Sequence, residues 1–227
     1  MKSVAIVCNG QFPRTEYPRY LLRSADVVVC CDGALQTLEK RGIVPDVVIG
    51  DLDSVCGRAL KRFPGRVVRV DDQETNDLTK AFRWVMGQVF GTGPTAGEPA
   101  GLPAEGGSIH ILAATGYRED HTLGNLALLM EFERQYDLSG QGISLDLVSD
   151  YTTALALSDS ATLDVGEGRP VSLFTPDPSL QIRSEGLQWP TDGVRFDNWW
   201  KATLNRASAD RITLALSHPA PVLVILG

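Results

Sequence analysis

The amino-acid sequence predicts an α/β domain with a mostly parallel, Rossmann-like sheet, followed by an all-β, sandwich-like domain. In the first part of the chain, continuous Val- and Ile-rich runs alternate with helix-period segments, a pattern typical of strands buried on both faces of a parallel sheet. After about residue 140, short apolar stretches are separated by Gly, Pro, Asp and Ser, which favours antiparallel strands. We expect domains over residues 1–140 and 141–227, although the strand at 144–148 fits either half.

The first domain is expected to contain strands and helices in alternation. The predicted strands are residues 3–8, Asp26–Cys31, Val47–Gly50, Arg66–Val70, Ile109–Ala114 and Ser144–Val148. Two amphipathic helices are predicted from apolar residues three and four apart, one carrying Leu78, Ala81, Phe82, Val85 and Val89 and the other Leu123, Leu126, Ala127 and Met130. The Gly91–Gly107 segment lacks a periodic apolar face and is expected to be an exposed insertion.

The second domain is expected to consist of short strands joined by turns. These strands are Ala154–Leu157, Val171–Phe174, Leu180–Ile182, Arg211–Leu216 and Val222–Leu226. Their spacing and turn residues are typical of a β-sandwich.

Composition and charge exclude several classes of function. The net charge of −7 disfavours a nucleic-acid surface, because phosphate backbones are bound mainly by clustered Lys and Arg. No apolar run reaches the roughly 20 residues that span a bilayer, and the first residues resemble a strand rather than a signal peptide, so a cytoplasmic protein is expected. The four cysteines lack CxxC spacing, which suggests neither zinc nor a redox dithiol, and we interpret them as buried apolar groups.

The segment Ile49–Ser54 carries the strongest chemical signal. Asp51 and Asp53 follow an apolar strand and can face one cation if the chain stays extended. Mg²⁺ prefers such hard oxygen ligands and usually keeps the phosphates of its substrate as well. A solvated Asp-rich turn has a similar sequence, so this motif needs support from the rest of the chain.

That support comes from polar residues that follow three other predicted strands. Ligands of open α/β sheets bind outside the carboxyl ends of the strands. The polar residues expected at this edge, besides Asp51 and Asp53, are Asp32, Gln73, Asn76, Asp77, Gly116, Arg118 and Asp120. Four segments thus deliver polar groups to one edge, which indicates a ligand site.

Some of these residues also have purely structural interpretations. Asn76 suits the N-cap of the helix that carries Leu78, and Asp120 suits the N-cap of the next helix. Lys80 in a first helical turn opposes the helix dipole, so either a bound phosphate or an ion pair with Asp77 is expected to compensate it. Arg118 suits bidentate phosphate binding, whereas His121 is expected to be structural.

Together these segments resemble the thiamine pyrophosphokinase family over roughly residues 25–130. The resemblance rests on Asp32-Gly33-Ala34, Gly50-Asp51-Leu52-Asp53-Ser54, Gln73-Glu74-Thr75-Asn76-Asp77-Leu78-Thr79-Lys80-Ala81 and Gly116-Tyr117-Arg118-Glu119-Asp120-His121-Thr122-Leu123-Gly124-Asn125. Later in the chain, Ser184–Pro190 resembles the thiamine-side segment of the family, and Thr203-Leu204-Asn205 resembles its small-hydroxyl-x-Asn element.

The resemblance implies transfer of a pyrophosphoryl group from ATP to thiamine by a homodimer, with thiamine held between the α/β domain of one chain and the β-domain of the other. It implies that Asp51, Asp53 and Asp77 hold Mg²⁺ on the triphosphate. It further implies ATP or phosphate contacts by Asp32, Gln73, Lys80, Arg118 and Asn125, a catalytic Asp120, and thiamine contacts by Ser184, Trp189 and Asn205. Either Asp77 or Asp120 can accept the hydroxyl proton of thiamine.

Two other functions compete with this interpretation. Asp-x-Asp after a strand also holds the metal of many nucleotide-sugar transferases, although Lys80 and Arg118 would then lack a role. A non-catalytic thiamine- or nucleotide-binding sensor on the same scaffold would bind without turnover.

Overall fold

The computed structural model describes residues 1–52, 62–92 and 106–227, and it places two sheets and four α-helices in them. The strands are β1 (Lys2–Val7), β2 (Val27–Cys31), β3 (Val47–Gly50), β4 (Val67–Arg69), β5 (Gly107–Leu112), β6 (Ile143–Val148), β7 (Thr153–Leu157), β8 (Ala161–Asp164), β9 (Pro170–Phe174), β10 (Ile182–Glu185), β11 (Asn205–Arg206), β12 (Arg211–Leu216) and β13 (Val222–Leu226). The α-helices are α1 (Glu16–Ser24), α2 (Leu35–Glu39), α3 (Asp77–Val85) and α4 (Glu119–Tyr136). A 3₁₀ turn at Asp32–Ala34 precedes α2, and a π-helical turn at Met86–Phe90 extends α3.

One large sheet runs through both halves of the chain, in the order β11-β9-β13-β7-β6-β5-β1-β2-β3-β4. From β4 to β6 neighbouring strands are parallel, and from β6 to β11 they are antiparallel. The chain leaves β1 toward β2 on one side and later returns to place β5 on its other side. The carboxyl ends of β1 and β5 therefore form a topological switch point, where open α/β sheets bind ligands.

Helices cover both faces of the parallel part because side chains alternate along each strand. Val4 and Ile6 of β1 face the core that α3 and α4 close, whereas Ala5 and Val7 face the core that α1 and α2 close. Three rings join the helices of the first core: Phe82 stacks on Phe132 at 3.9 Å between centroids, and Tyr136 meets Phe82 edge-on at 5.3 Å. Such aromatic pairs add specific packing to the area that they bury.

The predicted apolar face of α4 is only partly correct. Leu123 and Ala127 are exposed, and the buried residues are Leu129, Phe132, Glu133 and Tyr136. The reason is that only the C-terminal half of α4 packs on the sheet, so the apolar face begins later than the sequence pattern suggested. The first turns of α4 are left to line the cavity described below.

The C-terminal strands confirm the predicted antiparallel β class, but they do not form a separate pair of sheets. β7, β13, β9 and β11 extend the large sheet, and only the three strands β10-β12-β8 form a second sheet in the described residues. A core between the two sheets makes the sandwich, with Leu173 and Val224 on one side and Ile212 and Leu214 on the other. The proposed domain boundary near residue 140 stays a prediction.

Three details differ from the sequence-based expectation or fall outside the description. The strand predicted at Leu180–Ile182 is wrong in position, because Leu180 is buried before the strand and pairing begins at Ile182. The short strands β8 and β11 were not predicted. Most of the Gly91–Gly107 insertion lies outside the described residues.

None of the helices in the described ranges has the length and apolar character that crossing a bilayer requires.

Candidate active site

A cavity of about 630 Å³ opens at the switch point of the sheet. It is bounded by the segments that follow β1, β2 and β5 and by the first turns of α3 and α4. Its lining residues are Cys8, Asn9, Gly10, Cys31, Asp32, Gly33, Asn76, Asp77, Leu78, Ala113, Ala114, Thr115, Tyr117, Arg118, Asp120, His121, Thr122, Gly124 and Asn125. The predicted edge is therefore where the structure places a ligand-sized space.

Asp32 lies at the floor of this cavity and holds the next loop in position. Its side chain is almost fully buried, and its Oδ2 accepts a hydrogen bond of 2.9 Å from the backbone N–H of Leu52. Leu52 has a φ of +70°, a left-handed conformation that costs energy in a residue with a side chain. The hydrogen bond that the Leu52 N–H donates to Asp32 fixes this conformation directly after Asp51.

Glycine is required where β3 passes this carboxylate. A Cβ built on Gly50 would lie 2.5 Å from the carboxyl carbon of Asp32, closer than real Cβ atoms approach their neighbours. The glycine before Asp51 thus permits the close approach that brings the two carboxylates together.

Three negatively charged side chains lie close enough to influence one another: Asp32, Asp51 and Asp77. The pKa of Asp32 is raised, first by burial, then by the neighbouring charge of Asp77, with a smaller effect of Asp51, and hydrogen bonds from Leu52 and Gly33 oppose this rise only in part. A bound cation would relieve such repulsion between like charges. The hard oxygen donors fit Mg²⁺ chemically.

The described residues include two of the three metal ligands predicted from the sequence, Asp51 and Asp77. Asp53 lies outside the described residues, and Asp51 is absent from the cavity lining but accepts a 3.5 Å contact from Nε2 of Gln73. In the parts of the chain that are described, no group of three or more His, Cys, Asp and Glu residues stands together as a metal site.

The start of α3 supplies both an anionic and a cationic group. Asn76 is the N-cap, as predicted, and its Oδ1 accepts the backbone N–H of Thr79 at 2.9 Å. Asp77 lines the cavity, and its Oδ1 lies 3.2 Å from Nζ of Lys80, which confirms the predicted i, i+3 pair. The Lys80 side chain is only 4% exposed and does not line the cavity, so Asp77 stands between this cation and the open space.

The start of α4 brings Arg118, Asp120 and Asn125 to the lining of the same cavity. The helix begins at Glu119 with Arg118 as the N-cap residue, so the prediction of Asp120 as N-cap is wrong. The carboxylate of Asp120 instead accepts a bidentate pair from Arg118, with Nε 3.0 Å from Oδ1, and the backbone N–H of His121 at 2.8 Å. These bonds lower the pKa of Asp120 to about 2.

Asn125 lies one turn further along α4 and faces the same space. Its Nδ2 donates to the carbonyl oxygen of Ala114 at 2.8 Å, which ties the helix to the end of β5. Its remaining polar atom is available to the cavity that it lines.

Sequence reasoning missed several lining residues, among them Asn9, Gly10, Thr115, Tyr117 and His121. Asn9 and Gly10 follow β1 just as Asp32 follows β2, so the rule that identified Asp32 could also have found them. A Cβ on Gly10 would lie 2.5 Å from the carbonyl oxygens of Ala113 and Thr115, which explains the glycine at this crossing. His121 was expected to be structural, yet it lies in the lining because the first turns of α4 overhang the cavity.

The three C-terminal site residues form a second cluster. Asn205 is buried, and its side chain binds both backbone polar groups of Trp189. Its Nδ2 donates to the carbonyl oxygen of Trp189 at 2.7 Å, and its Oδ1 accepts the N–H of Trp189 at 3.2 Å. Oγ of Ser184 accepts the N–H of Thr191 at 3.0 Å. The Trp189 residue is 55% exposed, so a firmly held turn presents an open aromatic face. None of the three lines the cavity of its own chain.

Known family models match both halves of the chain. The sequence model described as "Thiamin pyrophosphokinase, catalytic domain" matches residues 18–138, and the model described as "Thiamin pyrophosphokinase, substrate-binding domain" matches residues 153–220. Thiamine pyrophosphokinase 3 of Oryza sativa subsp. japonica is 26% identical over 215 residues, which cover 83% of this chain and 73% of that protein. Thiamin pyrophosphokinase 1 of Caenorhabditis elegans is 28% identical over 134 residues, 57% of this chain and 51% of that protein.

Solved structures share the fold over the whole chain. The yeast thiamin pyrophosphokinase has a TM-score of 0.79 at 14% identity, covering 100% of this chain and 86% of the yeast chain. The thiamine pyrophosphokinase of Bacillus subtilis has a TM-score of 0.75 at 18% identity, covering 100% and 99% of the two chains. At such low identity these structures support the fold only.

Proposed function

The chain belongs to the thiamin pyrophosphokinase family, and on this premise we propose that it transfers the pyrophosphoryl group of ATP to the hydroxyl of thiamine, giving thiamine diphosphate and AMP. The observation that carries the proposal is the cavity at the switch point, whose lining combines the carboxylates of Asp32 and Asp77 with the Arg118–Asp120 pair around a space suited to a nucleotide. The two alternatives, a nucleotide-sugar transferase and a sensor, have no comparable support.

The phosphate chain would lie between the two walls of the cavity. Bound Mg²⁺, held by Asp51 and Asp77 together with Asp53, would supply positive charge to the phosphates at the carboxylate wall. Asp32 keeps the Asp51 loop in place, and Nε2 of Gln73 contacts the Asp51 carboxylate. The buried ammonium group of Lys80 compensates part of the negative charge of Asp77.

Arg118 would contact phosphate oxygens from the other wall. Asp120 holds its guanidinium group in a bidentate pair, and both residues are largely exposed to the cavity and to solvent. Because phosphoryl-transfer catalysis is mainly positioning and charge stabilisation, this fixed cation is the important contribution of α4. Asn125 would contact the nucleotide from the next turn.

The thiamine hydroxyl oxygen attacks the β-phosphorus, the bond from that phosphorus to the α-phosphate oxygen breaks, and AMP leaves. The hydroxyl proton needs an acceptor, for which Asp77 and Asp120 were both candidates. A general base works best when its pKa lies near the working pH, and the pKa of Asp120 is held at about 2. We therefore assign the orientation of Arg118 to Asp120, and Asp77, which lines the cavity, remains the other candidate acceptor.

Thiamine would be bound by the Ser184, Trp189 and Asn205 cluster of a second subunit. In this proposal the protein is a homodimer, because Trp189 is exposed but does not line the cavity of its own chain, so that a second subunit would bring the two together. The Trp189 ring offers an aromatic face to the positively charged thiamine, a contact of about 0.5–2 kcal/mol. A cytoplasmic location stays a prediction from the sequence.

The deciding experiment incubates the purified protein with Mg²⁺, ATP and thiamine and separates the products by chromatography. Equal amounts of AMP and thiamine diphosphate are expected. ADP with thiamine monophosphate would mean that a different phosphorus is attacked. Thiamine binding without any product would favour the sensor, and absence of both would contradict the proposal.

A further inference from the structure

Two cysteine thiols meet at the floor of the cavity. Cys8 follows β1 and Cys31 ends β2, and their Sγ atoms lie 4.0 Å apart. Both residues are mostly buried, at 8% and 3% exposure, and both line the cavity, so a small ion can reach them from it. Cys30 belongs to the core on the opposite face of the sheet.

We propose that Cys8 and Cys31 form a binding site for a thiophilic divalent cation such as Zn²⁺ or Cd²⁺. Two thiolates at about 2.3 Å from a tetrahedral zinc ion are about 3.8 Å apart, so the observed separation needs almost no adjustment. A disulfide would instead require the two sulfur atoms to approach to about 2.05 Å, a movement of nearly 2 Å. The resting geometry therefore suits chelation better than oxidation.

The remaining coordination positions would face the cavity. No third His, Cys, Asp or Glu joins these two sulfurs in the described part of the chain, and the nearby Asp32 carboxylate is bonded to the N–H of Leu52. Water or a polar group of a bound ligand would complete the coordination. Such a site is open, unlike the closed four-residue sites of structural zinc.

The sulfur pair and the carboxylates select different cations. Soft thiolates favour Zn²⁺ and related ions, whereas hard carboxylates favour Mg²⁺. A hydrogen bond to Cys8 and burial raise the pKa of Cys31, so the cation must displace the proton of this thiol when it binds. The two sites can therefore be distinguished by the chemistry of the ion.

The fold alone creates this pair, since the two cysteines are 23 residues apart and lack any metal-binding spacing in the sequence. A cation there would occupy the floor of the space assigned to ATP and would inhibit the enzyme. The inhibition rests on the proposed function, but the binding site itself does not.

The test is a titration of the reduced full-length protein with Cd²⁺, followed by the ultraviolet absorption of cadmium-bound thiolate. We expect one equivalent of Cd²⁺ to give this absorption in the wild-type protein, and Cys8→Ser and Cys31→Ser each to abolish it. Cys30→Ser is the matched control, since it removes a buried thiol of the same strand from the other face, and it should keep the signal. Cys56→Ser, which removes the fourth thiol, should also keep it.

Thermal melts of the variants confirm that each one is folded. Absorption that persists in both Cys8→Ser and Cys31→Ser, or that is lost equally in Cys30→Ser, would overturn the proposal. The readout contains neither ATP nor thiamine. A protein that binds Cd²⁺ through Cys8 and Cys31 but forms no AMP would uphold this site and contradict only the proposed function.

Discussion

At the scale of single residues, the site depends on carboxylates whose surroundings differ. Asp32 is buried beside other negative charges, and its pKa is raised, whereas Asp120 is exposed beside a guanidinium, and its pKa is lowered to about 2. The first residue supports a loop and the second orients an arginine. Their sequence contexts alone, Asp-Gly after a strand and Glu-Asp at a helix start, do not reveal these different roles.

Replacing Asp51 tests the proposed metal site most directly. Asp51→Asn keeps the size of the side chain but removes its charge. We expect turnover to fall by about 100-fold or more, a larger loss than that caused by replacing a residue that only hydrogen-bonds to a metal ligand. The fold should remain intact. Turnover is measured at saturating Mg²⁺, with Asp164→Asn, a surface carboxylate paired with Arg211, as control. Near-normal turnover of Asp51→Asn would contradict the assignment.

Replacing Asp32 should separate stability from activity. Because its folded-state pKa is raised, Asp32 stabilises the fold most when protonated, below its unfolded pKa, and this contribution is lost as the pH rises through the folded pKa. At neutral pH the ionised group is therefore unfavourable. Asp32→Asn should unfold at the same or a higher temperature than the wild type at neutral pH, with the difference shrinking toward about pH 4.

Turnover of Asp32→Asn should nevertheless fall, because an amide accepts the Leu52 N–H more weakly than a carboxylate does. Thermal melts over a pH series and turnover at neutral pH provide the two measurements. If Asp32→Asn instead becomes less stable relative to the wild type as the pH rises, the hydrogen bond from Leu52 to the ionised Asp32 outweighs burial and the repulsion from the neighbouring carboxylates.

At the scale of elements, the sequence predicted most strands and the edge where the site lies. Val- and Ile-rich runs mark β1, β2 and β3 clearly, and the polar residues after them identify the carboxyl edge. It did not predict which part of α4 packs on the sheet, because the periodic pattern does not say where the sheet ends beneath a helix. The sequence reading also missed Asn9, which the rule for the ends of strands could have found, and the Cys8–Cys31 pair, which only strand pairing brings together.

The turn between β10 and β11 provides a further prediction at this scale. Trp189→Ala should raise the KM for thiamine severalfold and leave the KM for ATP nearly unchanged, since an aromatic contact with a cation is worth about 0.5–2 kcal/mol. Asn205→Ala should have the same selectivity and also lower the melting temperature, because it leaves the backbone of Trp189 without two hydrogen bonds.

Steady-state kinetics with each substrate varied separately is the measurement. Trp200→Ala, which removes another exposed ring, serves as control and should change neither KM. Equal changes in both KM values for Trp189→Ala would indicate a packing role instead.

At the scale of the whole molecule, the proposed dimer predicts complementation between two defective chains. In a hybrid dimer of one Asp51→Asn chain and one Trp189→Ala chain, each shared site combines the cavity of one chain with the Trp189 cluster of the other. One of the two sites is therefore intact, and the other carries both substitutions. Random mixing makes half of the dimers hybrid, so about one quarter of the wild-type sites should return.

The two variants are refolded together and assayed at low thiamine, where Trp189→Ala alone is weak. Each variant refolded alone gives the baseline. A mixture that does no better than the mean of the two baselines would mean that each chain completes its own site.

The uninterrupted sheet from β4 to β11 limits how this protein can respond to its substrates. Each strand from the nucleotide edge to the C-terminal half is hydrogen-bonded to the next, so the two halves cannot rotate about a flexible hinge without breaking a ladder. Enclosing the substrates and excluding water must then depend on the loops at the carboxyl edge and on the approach of a second subunit, while the platform beneath stays rigid.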